Sequence, residues 1–289
     1  MNTERRNLRN GLLFISPWII GFLFFTIYPL FSSLYYSLTK YNLITEPEFV
    51  GLQNYRELLF VDDVFFTVLG NTMYMIFVGL TLTTIVTIFI AILLNTKDIK
   101  GMSFFRVVFF IPTLVPFVVL AILWIWILQP DSGVVNSVLG LIGIEGPGWF
   151  ASPKWAKPGF ILMMIWMSGN MILIYLAALG DIPKTLYEAA SIDGANVLQK
   201  VFHITLPMLR PAILFNGITG MIAIFQSFAE AFIITNGGPD NATLFYSLYL
   251  YKNAFQYFNM GYASAMAWIL LIIALTMTLI FFRLSKRWE

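Results

Sequence analysis

The chain has one histidine, His203, and no cysteine. A two-histidine or thiolate metal site is therefore excluded, and so is a disulfide framework. The apolar runs hold no cluster of carboxylates to divide acid and base roles, so bond-breaking chemistry has few carriers. Two other groups of residues have informative types and spacing. The first is a polar stretch between two long apolar runs, containing Glu188-Ala189-Ala190, Asp193-Gly194, Ile204 and Leu206-Pro207. Read for themselves, Glu188-Ala189-Ala190 are good helix formers and Gly194 turns the chain at φ > 0 with little cost. The second group is Asn216, Thr219, Ala223, Gln226, Ser227 and Glu230. At about 100° per residue these share one broad face of a single helix. An ionisable group such as Glu230 inside an apolar run is costly and turns to a cavity or a partner. The stripe is a candidate substrate pathway, offering hydrogen bonds to a polar solute. It suits hydrogen bonding between helices equally well, and the residues alone leave both open.

The elements that position both groups are membrane helices. The chain is 59% apolar and 11% charged, with a mean hydropathy of +0.80, whereas soluble domains are nearer a quarter charged. Six runs, near 12–37, 67–94, 107–128, 158–180, 211–234 and 263–283, approach the ~20 residues that cross a bilayer. The first follows Arg5, Arg6 and Arg9. It is too long for a signal-peptide core and no small-x-small cleavage site follows, so it reads as a span. Pro17 and Pro29 should kink it. With the N-terminus inside, twelve of the 17 basic residues, Lys97, Lys100 and Arg287 among them, fall on inside segments and five outside. The expected fold is all-α with six transmembrane helices and both termini cytoplasmic, which places 181–210 in the cytoplasm. Trp126, Trp149 and Trp155 lie near the outer boundary and read as an anchoring belt. A net charge of +2 leaves no electrostatic footprint for nucleic acid.

Within 181–210, Pro183 suits the first turn of a helix over 185–193, and Gly194 ends it. Residues 196–204 form a second amphipathic stretch with Val197, Val201 and Ile204 on one face. The shape is helix-turn-helix at the membrane surface. Its local pattern alone also fits an ordinary interfacial helix. The expected organisation is residues 1–66, an N-terminal segment with the first span and an outside loop, then a five-span core over 67–289 carrying the 181–210 loop.

Glu188-Ala189-Ala190, Gly194, Ile204, Leu206 and Pro207 stand where the E-A-A-x3-G-x9-I-x-L-P loop requires them. That loop belongs to permease subunits of binding-protein-dependent ABC importers, which this chain resembles. More of the chain is similar to the carbohydrate branch, the maltose and glycerol-3-phosphate type. The similar segments are Ser16-Pro17-Trp18 with Tyr28-Pro29, Phe49-Val50-Gly51-Leu52-Gln53-Asn54-Tyr55, Phe104-Phe105-Arg106 followed by Pro112, and Thr235-Asn236-Gly237-Gly238-Pro239.

The resemblance implies the type I ABC importer permease fold in the cytoplasmic (inner) membrane of a bacterium or archaeon. It implies that the loop docks into an ATPase, with Glu188 in an ion pair, Ala189 and Ala190 allowing close approach, and Gly194 the bend. The implied partners are a second, different permease, two ABC ATPase subunits and an extracytoplasmic sugar-binding protein. No residue is expected to be catalytic. The chain lacks a G-x-x-x-x-G-K-[ST] phosphate loop, so ATP and Mg are expected on the ATPase, with no cofactor here. A secondary transporter for a polar small solute is the alternative. It would want paired ion-coupling groups within the spans, and Glu230 has no ionisable partner there.

Overall fold

The structure is a computed structural model that describes residues 3–96 and 101–286, with side chains over 7–96 and 101–283. Lys97, Lys100 and Arg287, used above to orient the chain, lie outside the described residues, as do the side chains of Arg5, Arg6 and Lys286. Almost every described element is helical, apart from one two-stranded hairpin. Among the described residues, three helices are long and apolar enough to cross a membrane unbroken: Asn7–Ser37, Asp63–Leu94 and Met260–Arg283. Three bent pairs pass the same test together, giving up to six spans.

The bent pairs correct the straight runs expected from hydropathy. The third run is Met102–Leu114 followed by Phe117–Ile127 at 104°. Pro116 is the cause: it has no N–H to donate and excludes helical backbone at Val115, which is extended at φ −80° and ψ 132°. The fourth bends by 48° between Trp166 and Gly169. The fifth differs most. Val197–Met208 meets Arg210–Phe225 at 63°, and the helix stops at Gln226 before a short segment, Ala229–Ile234. In the first span the chain stays helical through Pro17, and a π-helical stretch at Leu23–Ile27 absorbs the missing donor of Pro29.

The chain divides into two compact units. The first joins Met1–Asp63 to Leu250–Ile272. Its long helix exposes large apolar side chains along its length, Phe14 and Phe25 among them, as a lipid-facing span does. After it come strands Thr39–Lys40 and Glu48–Phe49, paired antiparallel, and the helix Gln53–Phe60. Asn54 ties them together. Its amide donates to the carbonyls of Ser37 at 2.8 Å and Thr39 at 2.9 Å, and the Tyr55 hydroxyl donates to Ser37 Oγ at 2.7 Å. Gly261 lies against Thr39, where a Cβ would collide with the Thr39 carbonyl oxygen. The F-x-G-L-x-N-Y segment is thus a fold clasp.

The second unit joins Val64–Tyr249 to Ile273–Glu289. In it the Thr81–Leu94 and Gly169–Gly180 segments pack along one another. Ile88, Ala91, Leu94, Ile172, Tyr175 and Leu209 form a buried cluster between them. Within lipid such contacts gain from close packing rather than from leaving water. The Arg106 guanidinium donates to the Leu94 carbonyl at 2.9 Å, satisfying the end of that helix. Trp149 corrects the anchoring belt. It is buried and donates to Asn136 Oδ1 at 2.7 Å, holding the 129–152 loop together, while Trp126 is well exposed.

Candidate functional site

The 181–210 stretch folds as two short helices around a turn. Lys184–Ile192 starts one residue after Pro183. It ends at Asp193, and Gly194 takes φ +79°. The second helix starts at Asn196 with a reciprocal cap. Asn196 Oδ1 accepts from the Gln199 N–H at 2.9 Å, and Gln199 Oε1 accepts from the Asn196 N–H at 2.8 Å. It continues through a π-helical stretch at Val201–Thr205 and through Leu206-Pro207 to Met208, and does not stop at Pro207. Ile204 and Leu206 pack on the buried cluster beneath, as does Tyr187.

The opposite face has nothing over it among the described residues. Glu188 and Ala189 are exposed and Ala190 half-buried. Around them Ile192, Val197, Leu198 and Phe202 are 87%, 75%, 67% and 62% exposed. The expected amphipathic face is therefore split. Ile204 faces the core, Val201 is half-buried, and Val197 points away. Exposed apolar residues beside a carboxylate and small alanines suit a protein partner and suit a membrane interface as well.

A cavity of about 420 Å³ lies within the second unit. Five methionines, Met75, Met163, Met164, Met167 and Met171, supply much of its wall, with Phe117, Phe160 and Phe245. Its polar side is sparse. Asn216, Thr219, Ser227 and Glu230 line it, and Ser227 Oγ donates to Glu230 Oε2 at 2.9 Å. Ser247 Oγ donates to the Phe225 carbonyl at 2.6 Å, satisfying the end of the broken helix.

Residues 84–289 match the family described as the binding-protein-dependent transport system inner membrane component. The chain belongs to this family. The permease is 43% identical over 288 residues to YesP, a probable ABC transporter permease protein of Bacillus subtilis (strain 168), covering 98% of this chain and 93% of the relative. It is 38% identical over 267 residues to AraP, the arabinooligosaccharides transport system permease protein of Halalkalibacterium halodurans, covering 90% of this chain and 82% of that one. Among solved structures it matches a chain of the bacterial alginate ABC transporter in complex with an alginate pentasaccharide-bound periplasmic protein. There the TM-score is 0.83 and the identity 26%, over 99% of this chain and 98% of the other. The permease is a transport subunit, not an enzyme.

The stripe read from helical periodicity survives in part. Asn216, Thr219 and Ala223 lie on Arg210–Phe225 and reach the cavity. Ser227 and Glu230 also reach it, but across the break and not along one helix. Gln226 is exposed and does not line it. Periodicity fails there because residues 226–228 leave the helix. Three polar lining residues were missed: Thr83, Ser168 and Asn170. Thr83 is 1% exposed, and its hydroxyl has no hydrogen-bond partner among the described residues. A threonine in an apolar run gives no pattern signal of its own. The Asn196–Gln199 cap was missed as well, although its N-x-x-Q spacing is a signal that could have found it.

Proposed function

We propose that this permease moves a sugar, delivered by an external solute-binding protein, across the bacterial or archaeal cytoplasmic membrane with energy from ATP hydrolysed on separate subunits. The observation that carries the reading is the uncovered face of the 181–210 stretch, with Glu188, Ala189 and Ala190 beside exposed Ile192 and Leu198. On this reading an ABC ATPase docks there, Glu188 pairs with a basic residue of it, and the Gly194 turn seats the first helix. Asp193, Ile204, Leu206 and Pro207 shape the stretch. ATP and Mg belong to the ATPase. A second, homologous permease completes the translocation unit, and the 1–66 segment is an addition to the five-span core. The cavity is a stage of the sugar path, with Asn216, Thr219, Ser227 and Glu230 as its hydrogen-bonding side.

A sugar is supported by the named transport roles of the relatives, arabinooligosaccharides for AraP and alginate for the structural neighbour. The test uses the co-encoded complex, purified through a tag on this chain, with a single cysteine at Leu198. Expected are co-purification of an ATPase and its cross-linking to position 198. Screening the co-purified binding protein against neutral and acidic oligosaccharides by thermal shift should identify a sugar ligand. Recovery of the chain without any ATPase, or a binding protein that answers only to amino acids or peptides, would overturn the reading.

A further inference from the structure

Four residues at positions the E-A-A-x3-G pattern leaves unspecified form a closed circuit across the Gly194 turn, through their side chains and the carbonyls of Tyr187 and Lys200. The Tyr187 hydroxyl and Thr205 Oγ1 are 2.9 Å apart. Thr205 Oγ1 makes a longer contact, 3.4 Å, with the Lys200 carbonyl, and either hydroxyl can be the donor in the first bond. Lys200 Nζ donates to Ser191 Oγ at 2.7 Å. Ser191 Oγ donates to the Tyr187 carbonyl at 2.6 Å, returning to the start. Tyr187 and Ser191 stand on the first short helix, Lys200 and Thr205 on the second. One end of the circuit is inside, since Thr205 is buried and Tyr187 packs on the cluster around Tyr175 and Leu209. The other end, at Ser191, is exposed.

The second helix runs on to Met208 and turns by 63° into Arg210–Phe225, which carries Asn216, Thr219 and Ala223 at the cavity. A glycine turn alone is a compliant joint, because glycine has the widest backbone freedom of any residue. Two helices joined only by that turn would absorb a push as bending. We infer that the Tyr187–Thr205–Lys200–Ser191 circuit makes the two helices one rigid lever, and that these four are positioning residues through which displacement of the docking face reaches the cavity-lining helix. The circuit leaves the docking face itself free. This inference rests on the docking reading above.

The test separates hydrolysis from its mechanical result and needs no sugar. The purified complex carries Ala223→Cys on this chain, which has no native cysteine. An impermeant maleimide reports exposure of position 223, with and without ATP and vanadate. In the unclasped variants Tyr187→Phe and Thr205→Val, ATP hydrolysis and ATPase stoichiometry should persist. The ATP-driven change in labelling should fall by about fivefold, the scale of one lost hydrogen bond. The double variant should be no worse than Thr205→Val alone, because both substitutions remove the Tyr187–Thr205 bond and Thr205→Val also removes the bond to the Lys200 carbonyl. Ser191→Ala and Lys200→Met repeat the test at the exposed end, where folding is not at risk. A wild-type labelling change in all four variants would overturn the lever. So would a loss of hydrolysis and of labelling change in equal proportion, or additive effects of Tyr187→Phe and Thr205→Val. Failure of the docking reading looks different: Glu188→Lys would then retain the ATPase at wild-type stoichiometry, whatever the clasp variants do.

Discussion

Gly194 has open space around it, since a Cβ there would meet nothing within 4 Å, yet its φ is +79°. Its constraint is conformational and not steric. Left-handed backbone costs an ordinary residue about 1–2 kcal/mol, asparagine less and a β-branched residue more. Substrate uptake should therefore fall in the order Gly194→Asn, Gly194→Ala, Gly194→Val, the last abolishing uptake while the chain still reaches the membrane. Uptake that tracked side-chain volume instead would contradict this. At the cavity, Glu230→Ala should slow uptake by about tenfold, the scale of a hydrogen bond to a charged group. Gln226→Ala should stay within about twofold, as at most exposed positions. Counting positions around an ideal helix made these two residues equivalent; the break at residues 226–228 separates them. The Gly194 turn was legible because glycine after a short polar helix has one common use. The role of Thr83 was not, since nothing in an apolar run marks which threonine faces a void.

Among elements, the interrupted helices divide into two kinds. Pro116 announces its own break. The stop after Phe225 has no proline and no glycine beside it, and depends on a tertiary partner: Ser247, from a segment more than twenty residues later, takes the free carbonyl of Phe225. Broken backbone at membrane depth persists only where such groups are satisfied or face a cavity. Hydropathy therefore found the fifth run and missed its end. Ser247→Ala should leave that carbonyl unmet and lower the stability of the detergent-solubilised complex by about 1–3 kcal/mol, read as a drop in its unfolding midpoint. Asn54→Ala should cost a similar amount by freeing the Ser37 and Thr39 carbonyls in the first unit. A midpoint unchanged in either variant would show that water replaces the lost donor.

For the whole molecule, the expected six spans and their expected orientation were read from composition and from lysine and arginine placement, which need no contacts, and the described residues hold three unbroken spans or up to six with the bent pairs. The division of the chain into Met1–Asp63 with Leu250–Ile272, and Val64–Tyr249 with the rest, was not legible, because it joins segments nearly two hundred residues apart. Orientation is testable with single cysteines, since none is native. Positions Glu46, Ser132 and Asn241 are exposed and should label from outside intact cells with an impermeant thiol reagent, while Ser191 should not. Asn54 would be a poor reporter, because its side chain is buried. Labelling at 191 from outside would invert the topology.

The five methionines around the cavity have a consequence for how long a solute stays there. Thioether chains with three rotatable bonds reshape around guests of different outline at small cost. Of the seven polar residues that line it, Ser168, Thr219 and Ser227 already donate to Ile165, Phe215 and Glu230, which leaves few donors to replace the water a hydroxylated guest gives up. On the import reading, such a wall yields a shallow free-energy profile: weak residence, quick release and tolerance of related sugars. Discrimination among them then falls on whatever meets the sugar before the membrane.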